Sequence, residues 1–236
     1  MSSKGYFDEV AEQWDTMREG FFPESVREKA IAKANVVAET IAADLGAGTG
    51  FITEELIKHG ISVIAVDQST SMVEQMRKKF GPTASIDYRQ GVAEHLPIAN
   101  GEVNYAFANM YLHHVENPPV AIQEMVRILS PGGKLVITDL DEHQYEFLMK
   151  EQHDHWPGFK REDVKKWLLN AGLFNVDVDC IDEDCCSESQ SGTASARISI
   201  FIAYGEKKMI SNDDYNHVGM SEHKHYYKWE CEEEFC

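Results

Sequence analysis

Short apolar runs alternate with amphipathic stretches along most of this chain, and their order points to an architecture. "TIAADL" (40–45), "SVIAVD" (62–67), "ASIDYRQG" (84–91), "VNYAFANM" (103–110) and "KLVITD" (134–139) are brief and rich in β-branched or small apolar residues. That composition suits strands covered on both faces. Helical patterns lie between and around them. "PESVREKAIAKA" (23–34) has a proline near its start and helix formers behind it. "FITEELIKHG" (51–60) sets Phe51, Ile52 and Leu56 on one face, with Gly60 as its stop. A helix is expected at about 70–80, and Ile122, Met125, Val126 and Leu129 form the apolar stripe of another. "SPGG" then turns the chain into the fifth strand. A polar helical insert at 142–153 and a helix near 161–171, closed by Gly172, come next. "FNVDVDCI" (174–181) and "ARISIFIAYG" (196–205) finish the pattern with no helix between them, so they form a hairpin whose last strand runs antiparallel. The expected fold class is α/β: five strand–helix alternations, then two strands, in a doubly wound seven-stranded sheet that is mostly parallel.

Composition narrows the partners. A chain of 236 residues can bury one substantial core, so residues 1–208 are expected to form one domain and 209–236 an acidic, flexible Cys/His-containing tail. The formal net charge of -18 repels phosphate backbones and argues against nucleic acid as a partner. No apolar run approaches the roughly 20 residues of a membrane span. The start, "MSSKGYFDEVAEQW", has neither the basic nor the apolar region of a secretory signal, so a cytoplasmic location is expected. The five cysteines, an odd number, argue against a disulfide framework.

Candidate chemistry starts at "DLGAGTG" (44–50). Gly46, Gly48 and Gly50 follow the first strand at alternate positions, where a backbone can approach a ligand at a helix N-terminus. Asp67 ends the second strand, where an acid can accept the hydroxyls of an adenosine ribose. A dinucleotide turn would read G-x-G-x-x-G and face a pyrophosphate; here Asp44 precedes alternating glycines, which suits a cationic amino-acid end instead.

"ADLGAGTG", "VIAVDQSTSM", "GVAEHLPIANGEVNYAFANMYLHHVENP" and "RILSPGGKLVITD" occur in the order of four motifs of a known family. Over about residues 6–205 the chain resembles the class I S-adenosylmethionine-dependent methyltransferases, near the small-molecule group that includes quinone-biosynthesis enzymes. The resemblance implies a Rossmann-like fold and S-adenosylmethionine as methyl donor. It also implies that Asp44, Gly46, Ala47, Gly48 and Gly50 line the methionine and ribose side, and that Asp67 holds the ribose. Gln68 and Met72 would flank the adenine, Ala93 and Glu94 its far edge, and Asn109 the methionyl group. Many relatives carry an Asp where Val92 stands, so the adenine amino group would have to be met by backbone or by Glu94.

The acceptor side is less defined. The resemblance makes a lid of the segment bearing Tyr6, Phe7 and Trp14. Tyr111 and His114, with His113 between them in "MYLHHV", and His153 and His155 in the later insert are the candidate catalytic residues. Methyl transfer needs a general base only when the nucleophile arrives protonated, and no triad is apparent. Cys180, Cys185 and Cys186 are candidate ligands for a thiophilic acceptor such as arsenite. His217, His223, His225, Cys231 and Cys236 in the tail match no standard zinc spacing. The expected function is methyl transfer to a small molecule. Its alternatives are arsenite methylation, quinone-like C-methylation, and a non-catalytic cofactor- or metal-binding regulator.

Overall fold

A computed structural model describes residues 2–82, 85–189 and 191–209 of the chain; the His and Cys candidates between 217 and 236 lie outside the described residues. Three helices, α1 (Ser3–Val10), α2 (Trp14–Glu19) and α3 (Ser25–Ala34), precede the first strand. The sheet and its crossovers follow as β1 (Ile41–Leu45), α4 (Phe51–Lys58), β2 (Ser62–Asp67), α5 (Thr70–Phe80), β3 (Ile86–Gln90), β4 (Val103–Asn109), α6 (Pro118–Ile128) and β5 (Leu129–Leu140). Helices α7 (Glu146–Glu151) and α8 (Arg161–Asn170) lead into the hairpin of β6 (Leu173–Glu188) and β7 (Ser195–Lys207).

The seven strands take the order β3-β2-β1-β4-β5-β7-β6. β1 to β5 pair in parallel, and β7 runs antiparallel to both β5 and β6. The expected fold class is therefore what forms. Because the chain moves outward from β1 through β2 to β3 and then returns to β4, the strand order reverses between β1 and β4. Ligands of open α/β sheets bind at that switch point, beyond the carboxyl ends of the strands.

Alternation along the strands feeds two cores. Phe107 of β4 packs with Val26, Ala30, Ile52 and Leu56 of α3 and α4 on one face. Ala106 and Ala108, its neighbours, pack with Ile122, Met125, Val164 and Leu168 of α6 and α8 on the other. Among the described residues, no helix is long and apolar enough to cross a membrane.

Three local expectations change. No helix joins β3 to β4: residues 91–102 run as turns pinned by Arg89 and Arg127, which bind the Pro97, Ile98 and Leu96 carbonyls, so only four of the five alternations are complete. "SPGG" is not a turn ahead of the fifth strand but a bulge inside β5, between Leu129, paired with Val103, and Lys134, paired with Tyr105. The insert helix is short, Glu146–Glu151, and is followed by an irregular segment around Asp154 and Trp156. That segment is anchored where the backbone N–H groups of His155 and Trp156 both donate to the His113 carbonyl.

Candidate functional site

The glycine turn sits at the switch point and opens onto a cavity of about 610 Å³, including its solvent-open mouth. Its walls include Asp44, Gly46, Ala47 and Gly48 from the turn, Asp67, Gln68 and Met72 from the next strand–helix junction, and Asn109 to Tyr111 beyond β4.

The two acids have divided duties. Asp44 is fully buried, and its Oδ2 accepts from the backbone N–H (2.9 Å) and hydroxyl (2.6 Å) of Thr53, tying α4 to β1. Asp67 Oδ2 accepts from Gly48 N–H (2.8 Å) and its Oδ1 from Ser69 N–H (2.8 Å), bracing the glycine turn against the next loop. Burial lifts both carboxyls to about 6. The Ser69 hydroxyl, not Asp67, caps α5 by accepting from Met72 N–H.

Gly46 has φ +66°, and a Cβ there would fall inside the Tyr111 ring. Gly50 differs from the expectation. It lies outside the cavity wall, occupies the left-handed N-cap of α4 at φ +91°, and backs onto Phe80. Ala93 and Glu94 line a neighbouring cleft that shares Gln68, Tyr111 and His114 with the first cavity. Glu94 Oε1 also accepts from Asn117 N–H, while Val92 is exposed. Asn109 Oδ1 accepts from the Thr138 hydroxyl at 2.7 Å.

The N-terminal helices cover the mouth. Asp8 of α1 accepts from the Ser69 hydroxyl (2.6 Å), and Phe7 meets His114 edge-to-face at 4.9 Å. Phe7, Trp14 and Arg18 all line the cavity. Arg18 escaped the sequence reading. It is 6% exposed, its Nη2 binds Glu24 Oε1 at 2.8 Å, and its Nε and Nη1 are buried without a hydrogen-bond partner. Unpaired donors so enclosed are costly unless a ligand meets them. A buried cation and a buried acid, Arg18 and Asp44, on one cavity match the two ends of an α-amino acid. The donor set thus fits S-adenosylmethionine better than a pyrophosphate.

A second cavity of about 400 Å³, including its open side, adjoins the first and shares Trp14, Phe22, Met110 and His114 with it. Phe21, His113, Leu140, Leu148, Gln152 and Cys185 complete it. His113 is held by a 2.7 Å contact from Nδ1 to Asp139 Oδ1, and Asp139 in turn accepts from Leu112 N–H. Burial disfavours a charge on His113, but Asp139, and Asp154 behind it, outweigh this and lift it to about 9. Burial and the neighbouring histidines hold His114 well below its ordinary value, so it presents a neutral imidazole. Of the other candidates, Tyr111 is half-buried against Gly46, His153 packs on Tyr6 at 5.6 Å, and His155 lines the cleft beside Glu94.

The three described cysteines are free and do not form a cluster. Cys185 and Cys186 are consecutive on β6, paired with Ile198 and Arg197, so their side chains leave opposite faces of the sheet. Cys180 lies beyond a register shift between Cys180 and Asp184. Cys185 lines the second cavity, and among the described residues no cysteine belongs to a group of converging ligand atoms, so the expected thiol trio is corrected.

Comparisons with known proteins bear on the fold and on the central domain. Residues 43–137 match the family described as methyltransferase domain. A demethylmenaquinone methyltransferase of Renibacterium salmoninarum is 29% identical over 72% of this chain and 83% of its own length. A bifunctional biotin biosynthesis protein of Cellvibrio japonicus is 36% identical over 41% of this chain; the chain spans only 19% of that relative's length, and 36% of an uncharacterised Mycobacterium bovis methyltransferase. Among solved structures, a methyltransferase in complex with the Trm112 activator of Haloferax volcanii superposes with a TM-score of 0.72 at 19% identity, over 89% of this chain and all of that one. The Haemonchus contortus phosphoethanolamine N-methyltransferase 2, solved with S-adenosyl-L-methionine, gives 0.66 at 14% identity over 78% of this chain and 53% of its own. Residues 43–137 thus match a methyltransferase domain, on a fold shared with solved methyltransferases.

Proposed function

We propose that the protein transfers a methyl group from S-adenosylmethionine to a small molecule seated in the second cavity. The observation that carries this reading is the wall of Trp14, Phe22, Met110 and His114 common to the two cavities, which sets an acceptor chamber directly against the donor chamber. The bound cofactor would supply an electrophilic methyl on a sulfonium with a neutral leaving group. Everything else falls to the chain. Arg18 and Asp44 would hold the amino-acid end, Asp67 the ribose, and Gln68 and Met72 the adenine. Phe7 and Trp14, brought over the mouth by α1 and α2, exclude water and fix the approach of the acceptor, which is the larger part of catalysis in such a displacement. His114, neutral and in the shared wall, is placed to contact the reacting group of the acceptor.

The aromatic and aliphatic lining favours an acceptor with an apolar body, and the likeness to a demethylmenaquinone methyltransferase supports quinol-like rings as the first class to try. A cytoplasmic setting suits the free thiols. The test is S-adenosylhomocysteine release from the full-length protein offered quinols, phenols, amines, thiols and arsenite in parallel. The expected result is turnover with an apolar, ring-bearing acceptor. Tight S-adenosylhomocysteine binding with no turnover on any acceptor would favour a regulator instead.

A further inference from the structure

We propose that His113, His114 and Asp154 form a divalent-metal site of the zinc type in the wall of the acceptor cavity. Among the described residues, they are the only three His, Cys, Asp or Glu side chains whose ligand atoms all lie within 4.8 Å of one another. His114 Nδ1 stands 3.5 Å and His113 Nε2 4.0 Å from Asp154 Oδ1. Tetrahedral Zn²⁺ with bonds of about 2.0–2.1 Å puts its ligands about 3.3 Å apart, so small side-chain rotations would close the site.

Two further observations point to a ligand there. His114 Nδ1 and Asp154 Oδ1 are both buried and without a hydrogen-bond partner, on side chains 8% and 1% exposed. A ring nitrogen and a carboxylate oxygen left facing each other in this way have room for a shared proton or a metal ion between them. His113, in turn, is already arranged as a metal ligand. Its Nδ1 is fixed by Asp139, which accepts from Leu112 N–H at 2.8 Å and Leu140 N–H at 2.7 Å, and Nε2 is left to face Asp154. A carboxylate behind a histidine is the arrangement that sets the tautomer and raises the basicity of zinc ligands.

The local fold explains how neighbours in sequence can converge. Met110 takes φ +49°, and the 3-10 turn Leu112–His114 brings the His113 and His114 rings to 4.0 Å between centroids. The His155 and Trp156 N–H groups on the His113 carbonyl carry Asp154 to the same place. Three protein ligands leave a fourth position for water or an acceptor group, and both histidines also line the acceptor cavity. An acceptor hydroxyl or thiol entering it would give up its proton to solvent more readily. This role rests on the methyl-transfer reading; the binding itself does not.

The experiment is metal uptake by full-length protein stripped with chelator, titrated with Co²⁺ and then Zn²⁺, with no acceptor present. Expected are one equivalent of Co²⁺ with the visible absorption of a low-coordinate site, its displacement by Zn²⁺, and a zinc X-ray absorption shell of nitrogen and oxygen only. Asp154→Asn and His114→Gln should each weaken uptake at least about tenfold, while thermal melts report their folding. No uptake by the parent protein overturns the proposal. So does uptake unchanged in both variants, or a sulfur shell, which would assign the ion to thiols elsewhere. A protein that takes up the ion but methylates nothing would refute the function above and leave this site standing.

Discussion

The two adjoining cavities are built by opposite rules. The donor cavity draws most of its wall from one stretch, Asp44 to Met72, in which strand, turn, helix and strand follow each other without interruption. The proposed acceptor cavity collects one or two residues at a time, Trp14, Phe21, Phe22, Met110, His113, His114, Leu140, Leu148, Gln152 and Cys185, spread over most of the described chain. A contiguous site depends on backbone shape, which local sequence dictates. A scattered site depends on how distant elements pack. The donor side should therefore fail on backbone substitutions, and the acceptor side should tolerate single changes and show them in selectivity.

The largest expected effect tests the backbone rule within the glycine turn. Gly46→Val forces a side chain into the Tyr111 ring at φ +66° and should weaken S-adenosylhomocysteine binding by on the order of a hundredfold, read by calorimetry. Gly50→Ala is the contrast. Its Cβ would come within 2.5 Å of Phe80 at φ +91°, outside the cavity, so it should cost about 1–3 kcal/mol of stability and leave the folded protein's affinity nearly unchanged. Equal losses of binding in the two variants would break the distinction between cradle and cap.

Arg18 is one of the donor-side residues that lie outside the contiguous stretch. Arg18→Gln should weaken S-adenosylhomocysteine about ten- to thirtyfold, the worth of one charge-assisted contact. It should leave 5′-methylthioadenosine, which lacks the amino-acid end, within about twofold. A parallel loss for both ligands would make Arg18 a structural cation of the aromatic cluster it already touches, Phe51 at 4.4 Å from its guanidinium.

Next comes the pH dependence. Burial holds Asp67 and Asp44 near 6 in the folded protein, above the ordinary 3.8. Each therefore stabilises the empty protein most below the ordinary value, and that contribution is lost as pH rises through about 6. A ligand held by the ionised carboxylates reverses the dependence: binding is strongest above 6 and should fall about tenfold per carboxylate between pH 7 and pH 5. Asp67→Asn should flatten the profile without abolishing it, because Asp44 titrates over the same range. A flat profile in the parent protein would remove the carboxylates from cofactor binding.

These differences explain what could be read in advance. The sheet, its antiparallel β7 and the placement of Asp44, Gly46, Gly48, Asp67, Gln68 and Met72 were legible because strand periodicity and a turn motif are local properties. Gly50 was assigned to the ligand because spacing alone does not separate a cradle glycine from a cap glycine. Arg18 was missed because "WDTMREGFF" reads as a polar helical end, and only its packing beneath Phe22 and Phe51 shows that the guanidinium is enclosed. His113, Asp139 and Asp154 lie apart in sequence and meet through the β5 terminus and the segment behind α7, which no periodicity encodes. The cysteines erred the other way, since adjacency in sequence suggested a cluster that strand alternation disperses.

That dispersal gives the smallest effect and a clean one. Burial, then the neighbouring Cys186 and the carboxylates of Asp154, Asp139 and Asp184, push the Cys185 thiol up to about 12, whereas Cys186 is exposed. Reactivity follows the thiolate, so Cys185 should be alkylated at pH 8 more than about a hundredfold slower than an ordinary cysteine, by peptide-resolved mass spectrometry. Phenylarsine oxide, which needs two converging thiols, should leave the alkylation of Cys180, Cys185 and Cys186 unchanged. Protection of two of the three together would mean that β6 can untwist to bring them onto one face, and would return a thiophilic acceptor to consideration. Cys185→Ala, which only enlarges the acceptor chamber, should leave cofactor affinity within about twofold and shift the ranking of acceptors by a few-fold, as one apolar contact does. A change in donor affinity instead would show that the wall between the two cavities transmits what either side senses, and the contrast between them would be one of assembly alone.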